Sequence, residues 1–227
     1  EVEVAALVGL QNGLVEQVRV AALELFDSKT PLIEKKITAE ACVHHLWFND
    51  HDYEKLGTLI KWNPAIKTMH DQQAILKGLV DNHIDVIATD HAPHTLSEKK
   101  NVYTKAPSGG PLIQHTLVAM LEFVRRNKVS LPWVVEKMSH NPALLFAIEK
   151  RGFIREGYFA DLVLVDTQAP WTVESHNILA KCGWSPFEGH TFHSQVTHTW
   201  VSGHLAYHKA AFDESRTGMR LTFNRKE

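Results

Sequence analysis

Cysteine is nearly absent: Cys42 and Cys182 are the only two in 227 residues. A disulfide-framed scaffold is thereby excluded, the spacing is unlike a thiolate zinc site, and a reducing compartment, the cytoplasm by default, is the expectation. An excess of either charge is also missing, with Lys+Arg 24 against Asp+Glu 26 and a formal net charge of -2. Nothing here draws in a phosphate backbone, so no nucleic-acid partner is expected. No run approaches the ~18 apolar residues of a membrane span, and the N-terminus shows no basic segment followed by an apolar one, so no membrane partner is expected either. What is present is 44% hydrophobic and 22% charged residues, enough apolar surface for a core. At roughly 150 residues per domain the length predicts one to two domains. The compositional oddity is His 15, since imidazole is both a common metal ligand and a group that titrates near neutrality.

Apolar residues from Leu7 to Leu25 recur in steps of three and four and predict a helix with one buried stripe. Residues 36–44 form a short β-favouring run ending in His44-His45, and Leu56 to Asn63 forms a second, closed by Pro64. Asp71 to Val80 has helical composition, and Ile84 to Asp90 reads as a buried strand stopping at a cluster of Asp, His and Pro. That alternation is the pattern of a parallel α/β sheet. Ile113 to Arg126 and Trp133 to Met138 read as helices, and Asn141-Pro142 opens another. Beyond Arg151-Gly152 the chain turns β-rich, with strands at Asp161–Asp166, Val196–Trp200 and, across Ser202-Gly203, Leu205–Tyr207. A boundary near 151 divides an α/β part, 1–150, from a small β-rich part, 151–227, whose core Trp171, Trp184, Phe187, Phe192 and Trp200 would supply.

The segment richest in chemistry is Thr89-Asp90-His91-Ala92-Pro93-His94 at the C-terminal end of a buried strand, where α/β barrels carry their catalytic groups. An Asp there can ligate a metal and take a proton from metal-bound water, or it can simply cap the next turn. Adjacent residues of a strand point to opposite faces, so one of His44 and His45 would aim into a shared site. Asn63 is a turn residue by default and a substrate hydrogen-bonding group if the strand tips converge. His204 and His208 lie four apart in a strand, about 13 Å, too far to share one metal. His190 and His193 fall in a loop and read as surface residues.

Three segments taken together, Ile37 to Leu46, Lys61-Trp62-Asn63-Pro64 and Thr89 to His94, resemble the dihydroorotase branch of the amidohydrolase superfamily in order and spacing. Gly157 to Asp166, Ser185-Pro-Phe-Glu-Gly189 and Val196 to Tyr207 resemble that family's closing β-region, so the likeness runs from about Ala21 to the C-terminus, as the C-terminal half of the family's chain, with residues 1–20 unmatched. The resemblance implies a distorted, here partial, TIM barrel with one or two zinc ions, catalysing reversible ring closure of N-carbamoyl-L-aspartate to dihydroorotate in pyrimidine synthesis. In it His44 is a metal ligand, and Asp90 touches the metal and shuttles a proton, as base and then acid. Asn63 and His94 hold the pyrimidine ring and its carboxylate, with Gly109 and Gly110 offering backbone donors.

The family's His-x-His, its carboxylated Lys and its strand-five His have no counterpart in this sequence. Two matched ligands fall short of the three that a catalytic zinc usually needs, so reduced or absent metal in this chain alone is the expectation. Half a barrel leaves strand edges uncovered, which predicts a complementing N-terminal half or self-association. Two alternatives stand beside this reading: a non-catalytic dihydroorotase-like scaffold subunit, and a related cyclic-amide hydrolase such as a hydantoinase or allantoinase.

Overall fold

The computed structural model describes residues 28–35 and 37–224, so the helix anticipated over Leu7–Leu25 lies outside the described residues. In chain order the main elements are β1 (Glu40–Cys42), α1 (Val43–Trp47), α2 (Tyr53–Leu56), α3 (Met69–Val80), β2 (Val86–Ala88), α4 (Leu96–Lys99), α5 (Ile113–Arg125), α6 (Leu131–Val135) and α7 (Asn141–Leu145). They continue with β3 (Leu162–Asp166), β4 (Trp171–Thr172), β5 (Thr191–Phe192), β6 (Gln195–Val201), β7 (His204–His208) and β8 (Ala211–Phe212). The chain forms two compact units, one of residues 28–119 with Thr172–His190, the other of Met120–Trp171 with residues 191–224.

In the first unit β1 and β2 pair in parallel, Glu40 opposite Val86 and Cys42 opposite Ala88. Forty-odd residues separate the two strands in sequence, and α3 crosses between them, which is the connection a parallel pair requires. Thr68 starts α3 with a reciprocal capping box: its hydroxyl accepts from the Asp71 N–H while the Asp71 carboxylate accepts from the Thr68 N–H. A buried ion pair sets the entry to both strands. The Asp85 carboxylate lies 2.5 Å from Lys35 Nζ and accepts the Ala39 N–H at 2.9 Å. Among the described residues these two strands form no further parallel pairing and no closed barrel.

Two of the anticipated strands come out differently. Among the described residues of the run over 36–44, Glu40 to Cys42 alone form a strand, and both histidines belong to α1. Leu56 to Asn63 contains a 3-10 turn, Gly57–Ile60, after Gly57 closes α2 at φ 50°. A short apolar run carries no periodicity that separates strand from helix, and neighbours decide. The helices expected near 71–80 and 113–126 are present as α3 and α5.

In the second unit β3, β6, β7 and β8 form an antiparallel sheet in that order. Ser202 and Gly203, both at positive φ, make the tight turn between β6 and β7, the geometry that matches the twist of a two-residue hairpin. Arg151 is 8% exposed and fastens this sheet's first turn: its guanidinium pairs with Asp161 and donates to Ser202 Oγ at 3.2 Å. His193, anticipated as a surface residue, is 43% exposed at its side chain, gives its backbone N–H to the buried Glu122 carboxylate at 2.7 Å and places Nδ1 3.0 Å from the same oxygen. The five aromatics assigned to one β-rich core are split. Trp184 and Phe187 are buried in the first unit, where Phe187 meets Trp47 at 5.4 Å between ring centroids, whereas Phe192 contacts Trp171 in the second.

Among the described residues no helix is long and apolar enough to cross a membrane.

Candidate functional site

The site is built where β1 and β2 end. After Cys42 the chain turns directly into α1, so His44 and His45 sit on a helix, where successive residues are about 100° apart rather than on opposite faces. Their ring centroids are therefore only 4.1 Å apart. His44 is fully buried and stacks on Trp62 at 4.4 Å with the planes 12° apart. Neither His44 nitrogen nor the Trp62 indole N–H has a partner in good hydrogen-bond geometry, although the Thr89 backbone is close enough to His44 to act on its proton. Buried polar atoms left this way cost free energy, and functional positions are one of the few places where they persist. Burial, then the neighbouring His45, lower the His44 pKa well below its ordinary value, outweighing the Thr89 backbone that favours the proton. The ring is neutral at neutral pH, the form that ligates metals.

His45 ties α1 to the segment that follows the 3-10 turn. Its Nε2 lies 3.0 Å from the Pro64 carbonyl. Burial lowers its pKa, opposed by that carbonyl and by the negative charge of Asp90. Asp90 itself is exposed just past β2, with its backbone in the left-handed region at φ 45°, a conformation that Asp tolerates better than most residues. Asn63 is exposed, between the buried Trp62 and a cis bond to Pro64.

His94 and the glycine loop are joined. His94 Nε2 lies 3.0 Å from the Ser108 carbonyl, which can only accept, so Nε2 carries a proton and, in the neutral ring, Nδ1 is an acceptor. The Trp184 indole N–H donates to the His94 carbonyl at 2.8 Å. Gly109 has φ 116°, and a Cβ there would lie 2.6 Å from the Ala92 carbonyl oxygen; at Gly110 it would lie 2.7 Å from the Trp62 ring. Glycine is needed at both positions for close approach alone. The Gly109 N–H donates to the Lys61 carbonyl at 2.9 Å, so it is already engaged within the protein.

Of the residues singled out in the sequence, His44 and Gly110 both lie against Trp62, His94 is bonded to the loop through Ser108, and Asp90 acts on His45. Among the described residues no three His, Cys, Asp or Glu side chains come together as a metal site. His44 has the chemistry of a ligand, yet His44 and Asp90 alone do not make up the three protein ligands a catalytic zinc takes. The residues present do not fit a tightly held ion on their own.

Sequence reasoning missed three contributors. His91 Nδ1 accepts the Leu112 and Ile113 N–H groups at 3.0 and 3.3 Å, covering donors at the start of α5 that no helical carbonyl reaches. Trp62 is the plate on which His44 lies. Lys99, in a Glu-Lys-Lys run that reads as solvated, is fully buried. Only the Thr95–Glu98 capping box that starts α4 was a visible signal near it.

The sequence pattern of the amidohydrolase family matches residues 24–206. The chain is 38% identical to a dihydroorotase of Clostridioides difficile over 172 residues, 75% of this chain and 40% of that protein. It is 39% identical to a dihydroorotase of Halobacterium salinarum over 153 residues, 67% of this chain and 36% of the relative. It therefore spans roughly two fifths of the length of these relatives. Among solved structures, an L-hydantoinase from Arthrobacter aurescens superimposes with a TM-score of 0.75 at 25% identity, over 84% of this chain and 43% of that one. A D-hydantoinase from Thermus sp. gives 0.73 at 23% identity, over 79% and 41%. With the family pattern matched over most of its length and the same fold in these hydrolases, the chain belongs to the amidohydrolase family.

Proposed function

We propose that this chain carries part of the active site of a dihydroorotase, the enzyme that reversibly closes N-carbamoyl-L-aspartate to dihydroorotate. The observation that carries the reading is the set of dihydroorotases 36–39% identical to it, against 23–25% for the hydantoinases of the same fold. In this reading Asp90, at the mouth of β2, takes a proton from the attacking water and returns it to the ring nitrogen, general base and then general acid. His94, its Nε2 proton fixed on Ser108, turns Nδ1 towards a ring N–H, and Asn63 holds the ring from the opposite segment. Gly110 shapes the wall on which the ring lies. A hydroxyl or amide lost from such a polar site is discriminated strongly because its partners are left unpaired.

Zinc, one or two ions in the reading from resemblance, would engage His44 and Asp90 only with ligands from elsewhere. The complementing groups would come from an N-terminal half or a second copy, which would also cover the open edges of the β1–β2 pair. The cytoplasm remains the proposed compartment. The test is turnover of dihydroorotate and hydantoin by the reconstituted enzyme, with the Asp90→Asn and His94→Ala variants alongside. Asp90→Asn should remove at least two to three orders of magnitude in kcat while leaving the fold intact. His94→Ala should raise KM about tenfold with metal content unchanged. Turnover of hydantoin but not dihydroorotate would replace the reading with the hydantoinase one. A folded, complemented protein inert on both would support the scaffold reading.

A further inference from the structure

One charged group in the first unit is buried with no carboxylate among its hydrogen-bond partners. Lys99, at the end of α4, is fully buried, and its Nζ donates to the carbonyls of Lys61 at 3.1 Å, Pro107 at 3.0 Å and Gly109 at 2.7 Å. Three N–H bonds thus meet three neutral oxygens drawn from two segments remote in sequence. The rings of Trp62 and Trp184 stand 5.7 and 5.9 Å from the same nitrogen. Burying an ammonium is costly, and a methionine would fill this space between indoles without that cost. What the ammonium supplies beyond volume is direction.

The directed bonds close a ring of contacts. Pro107 and Gly109 flank Ser108, whose carbonyl orients His94. The Lys61 carbonyl accepts from both Lys99 Nζ and the Gly109 N–H. Lys61 continues the stitching with its own ammonium, which donates to the Tyr103 and Ala106 carbonyls at 2.6 Å each. Two residues past Lys61 stands Asn63. Resting on the reading of His94 and Asn63 as substrate groups, we propose that Lys99 is a positioning residue whose ammonium fastens the Ser108–Gly110 loop to the Lys61–Asn63 segment and so fixes the two groups relative to each other.

The clamp has a built-in limit. Burial, assisted by the positive charge of Lys61, brings the Lys99 pKa down to about 8. Its other faces are the three carbonyls and the two indoles, and Glu98, beside it on α4, is occupied by the Thr95 N–H and hydroxyl. A neutral amine has two N–H groups and a lone pair, so on deprotonation one carbonyl must be released. The loop is fully fastened below about pH 8 and loosened above it.

The experiment follows the Gly109 and Gly110 amide resonances from about pH 6.5 to 9.5, together with the Kd for dihydroorotate, in the chain complemented by the N-terminal half of a homologous dihydroorotase. In the wild type both amides should shift with a midpoint near 8, and dihydroorotate affinity should fall roughly five- to tenfold over the same range. Lys99→Met should lack that midpoint and bind weakly at every pH. Should that variant not fold, the wild-type titration decides by itself. Amides that keep their positions across the range, or titrate identically in Lys99→Met, overturn the clamp. Titrating amides in a complemented protein that binds no dihydroorotate would uphold the clamp and refute the substrate reading. Binding that is unchanged by pH and by Lys99→Met would refute the clamp and leave the substrate reading standing.

Discussion

Acid should weaken the first unit through one histidine that takes no direct part in the proposed chemistry. His115, on α5, is 1% exposed, with Nδ1 3.2 Å from Ser185 Oγ and its ring centroid 5.6 Å from that of Phe187. Burial brings its pKa from 6.5 down to about 4. Between these two values the unfolded chain binds a proton that the folded chain refuses, so stability falls as the pH drops from 6.5 towards 4 and is unaffected above 6.5. A gap of about 2.5 units at about 1.4 kcal/mol per unit gives a ceiling of roughly 3 kcal/mol, of which about 2 kcal/mol is lost by about pH 5. His115→Asn keeps a polar atom near the position of Nδ1 but cannot titrate. Urea unfolding followed by tryptophan fluorescence, which includes Trp62 and Trp184 of the same unit, should show the wild type losing about 2 kcal/mol more than the variant between about pH 7.5 and 5. Equal losses in the two proteins would refute the reasoning.

Two further perturbations test packing. Gly109→Ala places a methyl 2.6 Å from the Ala92 carbonyl at a backbone φ of 116°, and should destabilise the first unit by about 2 kcal/mol or more, read from the urea midpoint. Arg151→Met leaves Asp161 and Ser202 without their guanidinium partner in the second unit, and should cost about 1–3 kcal/mol in the same assay; an unchanged midpoint would mean that the pair contributes nothing.

The legible parts of the fold were those with long periodic patterns or with turn chemistry. α3 carries its capping box in Thr68 and Asp71, and the β6–β7 hairpin carries Ser202-Gly203. The short run up to His44 is not a strand throughout because a three-residue strand, Glu40–Cys42, leads straight into a helix. That difference matters: on a strand the two histidines would diverge, whereas on α1 their rings meet, and His45 becomes the group that feels Asp90. Trp184 and Phe187 were misplaced because sequence neighbourhood stood in for spatial neighbourhood, and the chain returns to the first unit over Thr172–His190. The Thr89–His94 segment was found because its residue types at a strand end carry chemistry by themselves. Lys99 could not be found that way, since a lysine among charged residues looks solvated until three carbonyls are seen around it.

The most direct test of the central claim is zinc content by elemental analysis, measured together with dihydroorotate hydrolysis, on the chain alone and after adding the N-terminal half of a homologous dihydroorotase. Zinc and turnover should both appear only in the complemented protein, because the proposed reading draws two ligands, His44 and Asp90, from this chain, and its described residues hold no cluster of three. A folded, complemented protein that holds no zinc and hydrolyses no dihydroorotate would contradict the account.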